Sequence, residues 1–194
     1  YLGYLFKFSD KKYKFGIAEE KLEKYGKEID KITLEYLNNG DVELFRQRIL
    51  FFISRRVYYN VFASNNKIAK WDVAGITANY NLLSHEIKKK NYGDLEEKTK
   101  YFLTRQPYEN VMKIIKNHPL KNKLYFYNSQ KSKPSYCIMA VFKNNKSIVF
   151  HPNIGWSVEY LCKKIRKIDN TFKVHNKTYR ECVTYYNYLL KIPE

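Results

Sequence analysis

The residues with most to offer chemically are cations. Arg46, Arg48, Arg55 and Arg56 lie close together in a chain whose other basic side chains are mostly lysine. A planar guanidinium holds a phosphate through two parallel hydrogen bonds, where an ammonium acts as a point charge. Tyr58 and Tyr59 follow directly, and rings beside cations can stack on bases or sugars. Their plainer use is packing between helices. A second group, Lys21, Lys24, Lys27 and Lys31, recurs at three- and four-residue spacing, with Glu23, Glu28 and Glu35 interleaved. That pattern fits a solvated, ion-paired face as well as one that meets phosphate. A third group, Lys121, Lys123, Lys131 and Lys133, falls between Glu109 and Glu159, an interval without a single acid.

Catalytic chemistry has no comparable signal. Two-metal nucleotidyl transfer needs carboxylates close enough to share divalent ions, yet neither Asp-Asp nor Asp-x-Asp occurs, and Asp10, Asp30, Asp41, Asp72, Asp94 and Asp169 are scattered. They read as turns, caps and surface charges. The phosphate-cradling glycine loop, the Gly-x-Ser-x-Gly elbow and His-Glu-x-x-His are all missing from the sequence. His85, His118, His151 and His175 stand alone, and a Cys137 or Cys162 nucleophile served by His151 has no sequence support beyond the residue types. No catalytic residue and no metal ligand is assigned.

The surroundings of these cations set the class of partner. Net charge is +17 over 194 residues, divided as +6 over residues 1–90 and +11 over 91–194. Such a field attracts polyanions, although a lysine-rich composition accounts for part of it. Apolar residues at 44% and aromatics at 17% make the chain too hydrophobic for disorder. Three separated cysteines, Cys137, Cys162 and Cys182, match neither a disulfide framework nor a Cys-x-x-Cys metal site, so a reducing, cytoplasmic setting is expected. No apolar run is long enough to cross a bilayer.

The elements that must position the cations follow from periodicity. Residues 1–18 predict a β-hairpin turning at Ser9-Asp10-Lys11-Lys12, with at least one face needing an apolar cover. From Ala18 to about Asn38, Leu22, Tyr25, Ile29, Ile32 and Tyr36 form one helical stripe, with acids in the first turn and Asn38-Asn39-Gly40 as the stop. Asp41 caps a second helix from near Val42 to about Ala63, apolar on two sides and carrying all four arginines. An ordered connection then leads to a short helix from about Ala78 to Lys89, followed by helices over 94–104 and 107–117 broken at Pro107. Short strands are expected between Leu124 and Phe150, with a buried helix over 136–142 as the alternative. Helices over Trp156 to Ile168 and Tyr179 to Ile192 close the chain, the last started by the capping box of Thr178 and Glu181. The fold class is mainly α with minor β (α+β): an N-terminal hairpin, a helical bundle and a C-terminal helical region with a small hairpin. It divides into residues 1–90 and a basic region, 91–194.

At these residues the chain resembles the part of bacterial reverse transcriptases that follows the catalytic palm, in the retron-like and abortive-infection phage-defence groups. Tyr1-Leu2-Gly3-Tyr4-Leu5-Phe6 resembles the strand after the active site. The helix from Ile17 to Leu37, with the segment from Leu44 through Arg55-Arg56, resembles the thumb. Ala74-Gly75-Ile76-Thr77-Ala78-Asn79-Tyr80 is similar to a loop of the defence-type proteins. The resemblance covers about 80 residues. It implies that Gly3 allows close approach at the primer end, while Lys21, Lys24, Lys27, Lys31, Arg46, Arg48, Arg55 and Arg56 grip a template–primer duplex. It also implies a palm domain upstream of Tyr1 that holds the missing Asp-Asp motif and Mg2+, this chain itself needing no cofactor. The chain, which opens without Met inside a patterned run, is thus expected to be a C-terminal fragment of an RNA-directed DNA polymerase. Lys121, Lys123, Lys131 and Lys133 would add contacts to structured RNA. The alternatives are a free-standing basic nucleic-acid-binding or regulatory protein and a helical protein-interaction module. Oligomeric state is not legible.

Overall fold

The computed structural model describes residues 3–9, 11–59, 71–88, 92–124 and 147–192. The expected α+β class is what it contains, mostly helix with a few short strands. Strands β1 (Tyr4–Ser9) and β2 (Lys12–Ile17) form the hairpin, in register from Tyr4 opposite Ile17 to Ser9 opposite Lys12. Alternation puts Tyr4, Phe6, Phe8, Tyr13, Phe15 and Ile17 on one face. Its inner end enters the core, whereas Phe6, Phe8 and Tyr13 at the outer end are exposed. The expected apolar cover therefore reaches only half of that face.

Helix α1 (Glu19–Asn39) has Glu19 and Glu20 in its first turn and ends at Gly40, whose N–H donates to Tyr36 O at 2.8 Å. It buries Leu22, Ile29, Ile32 and Tyr36, each worth roughly 1.5–3 kcal/mol when taken out of water. Helix α2 (Val42–Ile53) starts at Asp41, whose Oδ1 accepts from the N–H groups of Glu43 and Leu44, both at 2.9 Å. The expected continuation of this helix towards Ala63 is overturned. Ser54 is already extended, and strand β3 (Arg56–Tyr59) follows. Val57, Tyr58 and Tyr59 suit a pleated surface. They also find strand partners on both sides: β4 (Trp71–Ala74) pairs antiparallel and β5 (Ile148–Phe150) parallel, giving the order β4-β3-β5. Arg55 and Arg56 thus leave the helix on which the sequence placed them. Residues 60–63 lie outside the described residues.

Helices α3 (Ile76–Asn79) and α4 (Asn81–Lys88) follow β4. The break at Pro107 is present: α5 (Glu97–Thr104) gives way to α6 (Gln106–Ile115), with the proline in the first turn of α6 where its missing N–H costs nothing. Helices α7 (Val158–Arg166) and α8 (Tyr179–Leu190) complete the described elements. The Thr178–Glu181 capping box is formed in both directions. The strands expected between Leu124 and Lys146 lie outside the described residues, apart from the start at Leu124, as do Cys137, Lys131 and Lys133.

Buried side chains fall into two clusters. The first joins Ile17, α1, the Phe45, Ile49 and Ile53 face of α2, and α3 to α6 through residues such as Tyr80, Leu83, Phe102 and Ile115. The second joins Phe51 of α2 to Ile148, Phe150, α7 and α8. Helix α2 therefore packs on two sides. Among the described residues no helix is long and apolar enough to cross a membrane.

Candidate nucleic-acid interface

The single apolar stripe of α1 decides where its lysines go. With the core side fixed by Leu22, Gly26, Ile29 and Thr33, a turn of 100° per residue puts Lys24, Lys27 and Lys31 opposite it, and all three are exposed. Lys31 meets Glu28 at 3.6 Å, a pair more than half exposed on the lysine side. Such a pair contributes at most about 1 kcal/mol and yields easily to another anion. Lys24 and Lys27 have no carboxylate within ion-pair distance among the described residues. Lys21 sits nearer the packed side and is half-buried.

At the N-terminal end of α1 a cleft of about 690 Å³ brings Lys21 and Lys24 together with Gly3, Glu20, Tyr25, Ala78, Asn79 and Tyr80. Gly3, at φ 82°, is fixed from both sides. Its carbonyl accepts the Ala18 N–H at 2.7 Å, holding the hairpin to the start of α1, and a Cβ there would stand 2.8 Å from the Tyr80 hydroxyl. Close approach at Gly3 is thus made by Tyr80 of this chain. The opposite wall hangs from the end of α2. Thr77 Oγ1 donates to Ile53 O at 2.6 Å, and Gly75, at φ 100°, runs so near that a Cβ would lie 1.9 Å from Ser54 O. The segment Ala74–Tyr80 is thereby fixed to the end of α2. Tyr80 is fully buried, with the Tyr4 ring 5.1 Å and the Tyr25 ring 6.3 Å away, and burial drives its hydroxyl pKa far upward. Tyr25 and Asn79 were missed as cleft residues. Tyr25 was hidden in the apolar stripe, and Asn79 in a segment with no steady period.

The arginines go elsewhere, and none lines this cleft. Arg46 is half-buried, near enough to the Tyr36 hydroxyl to act on its ionisation. Arg48, expected outward, is 8% exposed and donates through Nη2 to Lys191 O at 3.0 Å and Leu189 O at 3.4 Å, the C-terminal carbonyls of α8. The cause is the second packed side of α2, which turns position 48 towards the end of α8. Arg55 is half-buried, and its carbonyl accepts the Ile148 N–H at 2.8 Å. Arg56 stacks on Phe51, its guanidinium carbon 4.0 Å from the ring centre. Lys121 is half-buried in the short 3-10 turn Pro119–Lys123. The structure therefore unites Gly3, Lys21 and Lys24, extends them along α1 through Lys27 and Lys31, and separates them from the arginines.

The aromatic residues near cations mostly pack. Tyr58 stacks on Phe150 at 4.8 Å, and Trp156 lies 5.6 Å from Phe150 and 5.8 Å from Tyr186. Cys162 and Cys182 are both buried, and burial with the neighbouring Cys162 pushes the Cys182 thiol up to about 11. His151 uses Nδ1 to accept the N–H groups of Asn153 and Ile154 in its own turn. Among the described residues no three His, Cys, Asp or Glu side chains converge as a metal site would require, so no step through Mg2+ is assigned to them. Comparison with known protein families, curated proteins and solved structures finds no match for the chain.

Proposed function

We propose that this chain binds the backbone of a template–primer duplex through α1 and its cleft, as the thumb-side part of an RNA-directed DNA polymerase. The observation that carries the reading is the outward row of Lys24, Lys27 and Lys31, which runs into the cleft at Lys21 and Gly3. At 1.5 Å per residue the row spans about 10 Å, over which duplex DNA carries roughly six phosphates. The flanking glutamates Glu20, Glu28 and Glu35 moderate this field, so binding is of moderate strength and indifferent to base sequence. The carboxylates and Mg2+ of phosphoryl transfer belong, on this reading, to a palm domain of the same polymerase. The exposed rings of Phe6, Phe8 and Tyr13 at the hairpin tip are apolar surface suited to packing against that palm.

The test is fluorescence anisotropy with an RNA–DNA duplex across a salt series. Three to four phosphate contacts predict an affinity loss of about 40- to 150-fold between 50 and 200 mM salt. Affinity that does not change with salt would remove the interface. A free-standing binding protein would share this salt response and would gain no polymerase activity when a palm domain is supplied.

A further inference from the structure

Arg48 and Arg56 line one pocket of about 300 Å³ at the C-terminal end of α8, together with Phe51, Tyr58, Asn187 and Lys191. The pocket shares no lining residue with the α1 cleft. Arg48 is more than nine-tenths buried, and two helix-end carbonyls occupy only its Nη2. Its Nε is buried with no hydrogen-bond partner, and so is the Nε of Arg56. Neither arginine forms an ion pair among the described residues. Glu35 and Asp41 act on Arg48 only at longer range. Tyr58 Oη donates to Asn187 Oδ1 at 3.2 Å and is itself a hydrogen-bond partner of the Arg56 guanidinium.

A guanidinium withdrawn from water as Arg48 is, beside the half-buried Arg56 and with no carboxylate in ion-pair contact with either, is costly, because a buried cation needs both counter-charge and satisfied donors. Burial accordingly pushes both below the usual arginine range. We propose that this pocket binds a phosphate-class oxyanion, held between the Arg48 and Arg56 guanidinium groups that line it. Near neutral pH a phosphate group carries close to two negative charges, which match the two cations, and its oxygens accept from several donors at once. The volume admits such a group with a few waters and excludes a duplex. Bound there, the anion ties the end of α8 to α2 and β3, joining the second buried cluster to the helix that also serves the first. The site is independent of the duplex interface and stands if that reading fails.

The test is calorimetric titration of the 194-residue chain with inorganic phosphate at constant ionic strength, with thermal melting alongside. Saturable binding and a rising Tm are expected, and Arg56→Gln should weaken binding roughly tenfold or more, as loss of a charge-assisted contact does. Arg48→Gln should do the same, with circular dichroism checking its fold. Lys24→Glu with Lys27→Glu should leave phosphate binding unchanged while altering duplex binding. A parallel titration with a nucleoside monophosphate separates the sources: tighter binding than phosphate assigns the site to a nucleotide, equal or weaker binding to free phosphate. Absence of saturable binding at millimolar phosphate, or equal binding by folded Arg56→Gln, overturns the proposal. So does a loss of phosphate binding in the lysine variant.

Discussion

Helices α1 and α2 are neighbours that both carry cations and put them to opposite use. Helix α1 carries lysines three or four residues apart and turns Lys24, Lys27 and Lys31 to water, while α2 carries Arg46 and Arg48 two residues apart and folds Arg48 beneath the end of α8. The difference lies in how many sides of each helix are packed. One apolar stripe, as on α1, leaves most of the circumference wet. Helix α2 gives Phe45, Ile49 and Ile53 to one cluster and Phe51 to the other, so little of its surface is left for outward charge. Even Gln47 is enclosed, accepting from Tyr186 Oη at 2.6 Å and donating to Lys164 O at 3.2 Å. A cation on a helix packed on two sides is a structural group first, and becomes a ligand contact only where a pocket reaches it.

The contrast can be broken most severely where the cleft wall is anchored to the end of α2. Gly75→Val forces a Cβ onto Ser54 O and a β-branched residue into φ 100°, detaching from α2 the wall that faces Lys21 and Lys24. Unfolding in urea should reveal a loss of roughly 3 kcal/mol or more, with duplex affinity falling as the cleft opens. Reversing charge on α1 alone, with Lys24→Glu, Lys27→Glu and Lys31→Glu together, should lower duplex affinity roughly 100-fold and reduce the salt slope by about 2.7. Its Tm should stay near that of the parent, because these side chains touch no core. Arg48→Lys gives the opposite pattern. An ammonium on a differently shaped side chain replaces the Nη2 that donates to both carbonyls, which should cost about 1–2 kcal/mol in chemical denaturation while duplex affinity stays within about twofold. Asp41→Ala is the mildest change, removing two capping bonds of α2 for about 1 kcal/mol. If its duplex affinity also drops, general loosening rather than the lysine row explains the other results.

What the sequence makes legible here is local. The hairpin register, the α1 stripe with its stop at Gly40, the Asp41 cap, the break at Pro107 and the Thr178–Glu181 box each depend on residues a few positions apart. What stays hidden depends on distant partners. β3 exists because 71–74 and 148–150 flank it, and a window around Arg55 sees neither. Arg48 turns inward because of carbonyls 141 and 143 residues further along. Of the candidate interface, the α1 lysines were readable from spacing. Their junction with Asn79 and Tyr80 was not, because it requires Gly75 and Thr77 to lock that segment onto the end of α2.

The double allegiance of α2 bears on how the protein comes apart. A helix that forms one wall of each buried cluster cannot leave either without exposing both, so neither has an independent melting point. Heating should give one sigmoidal transition by every probe rather than two steps. Amide protons in the middle of α2 should then be among the last to exchange, since their release requires the whole molecule to open.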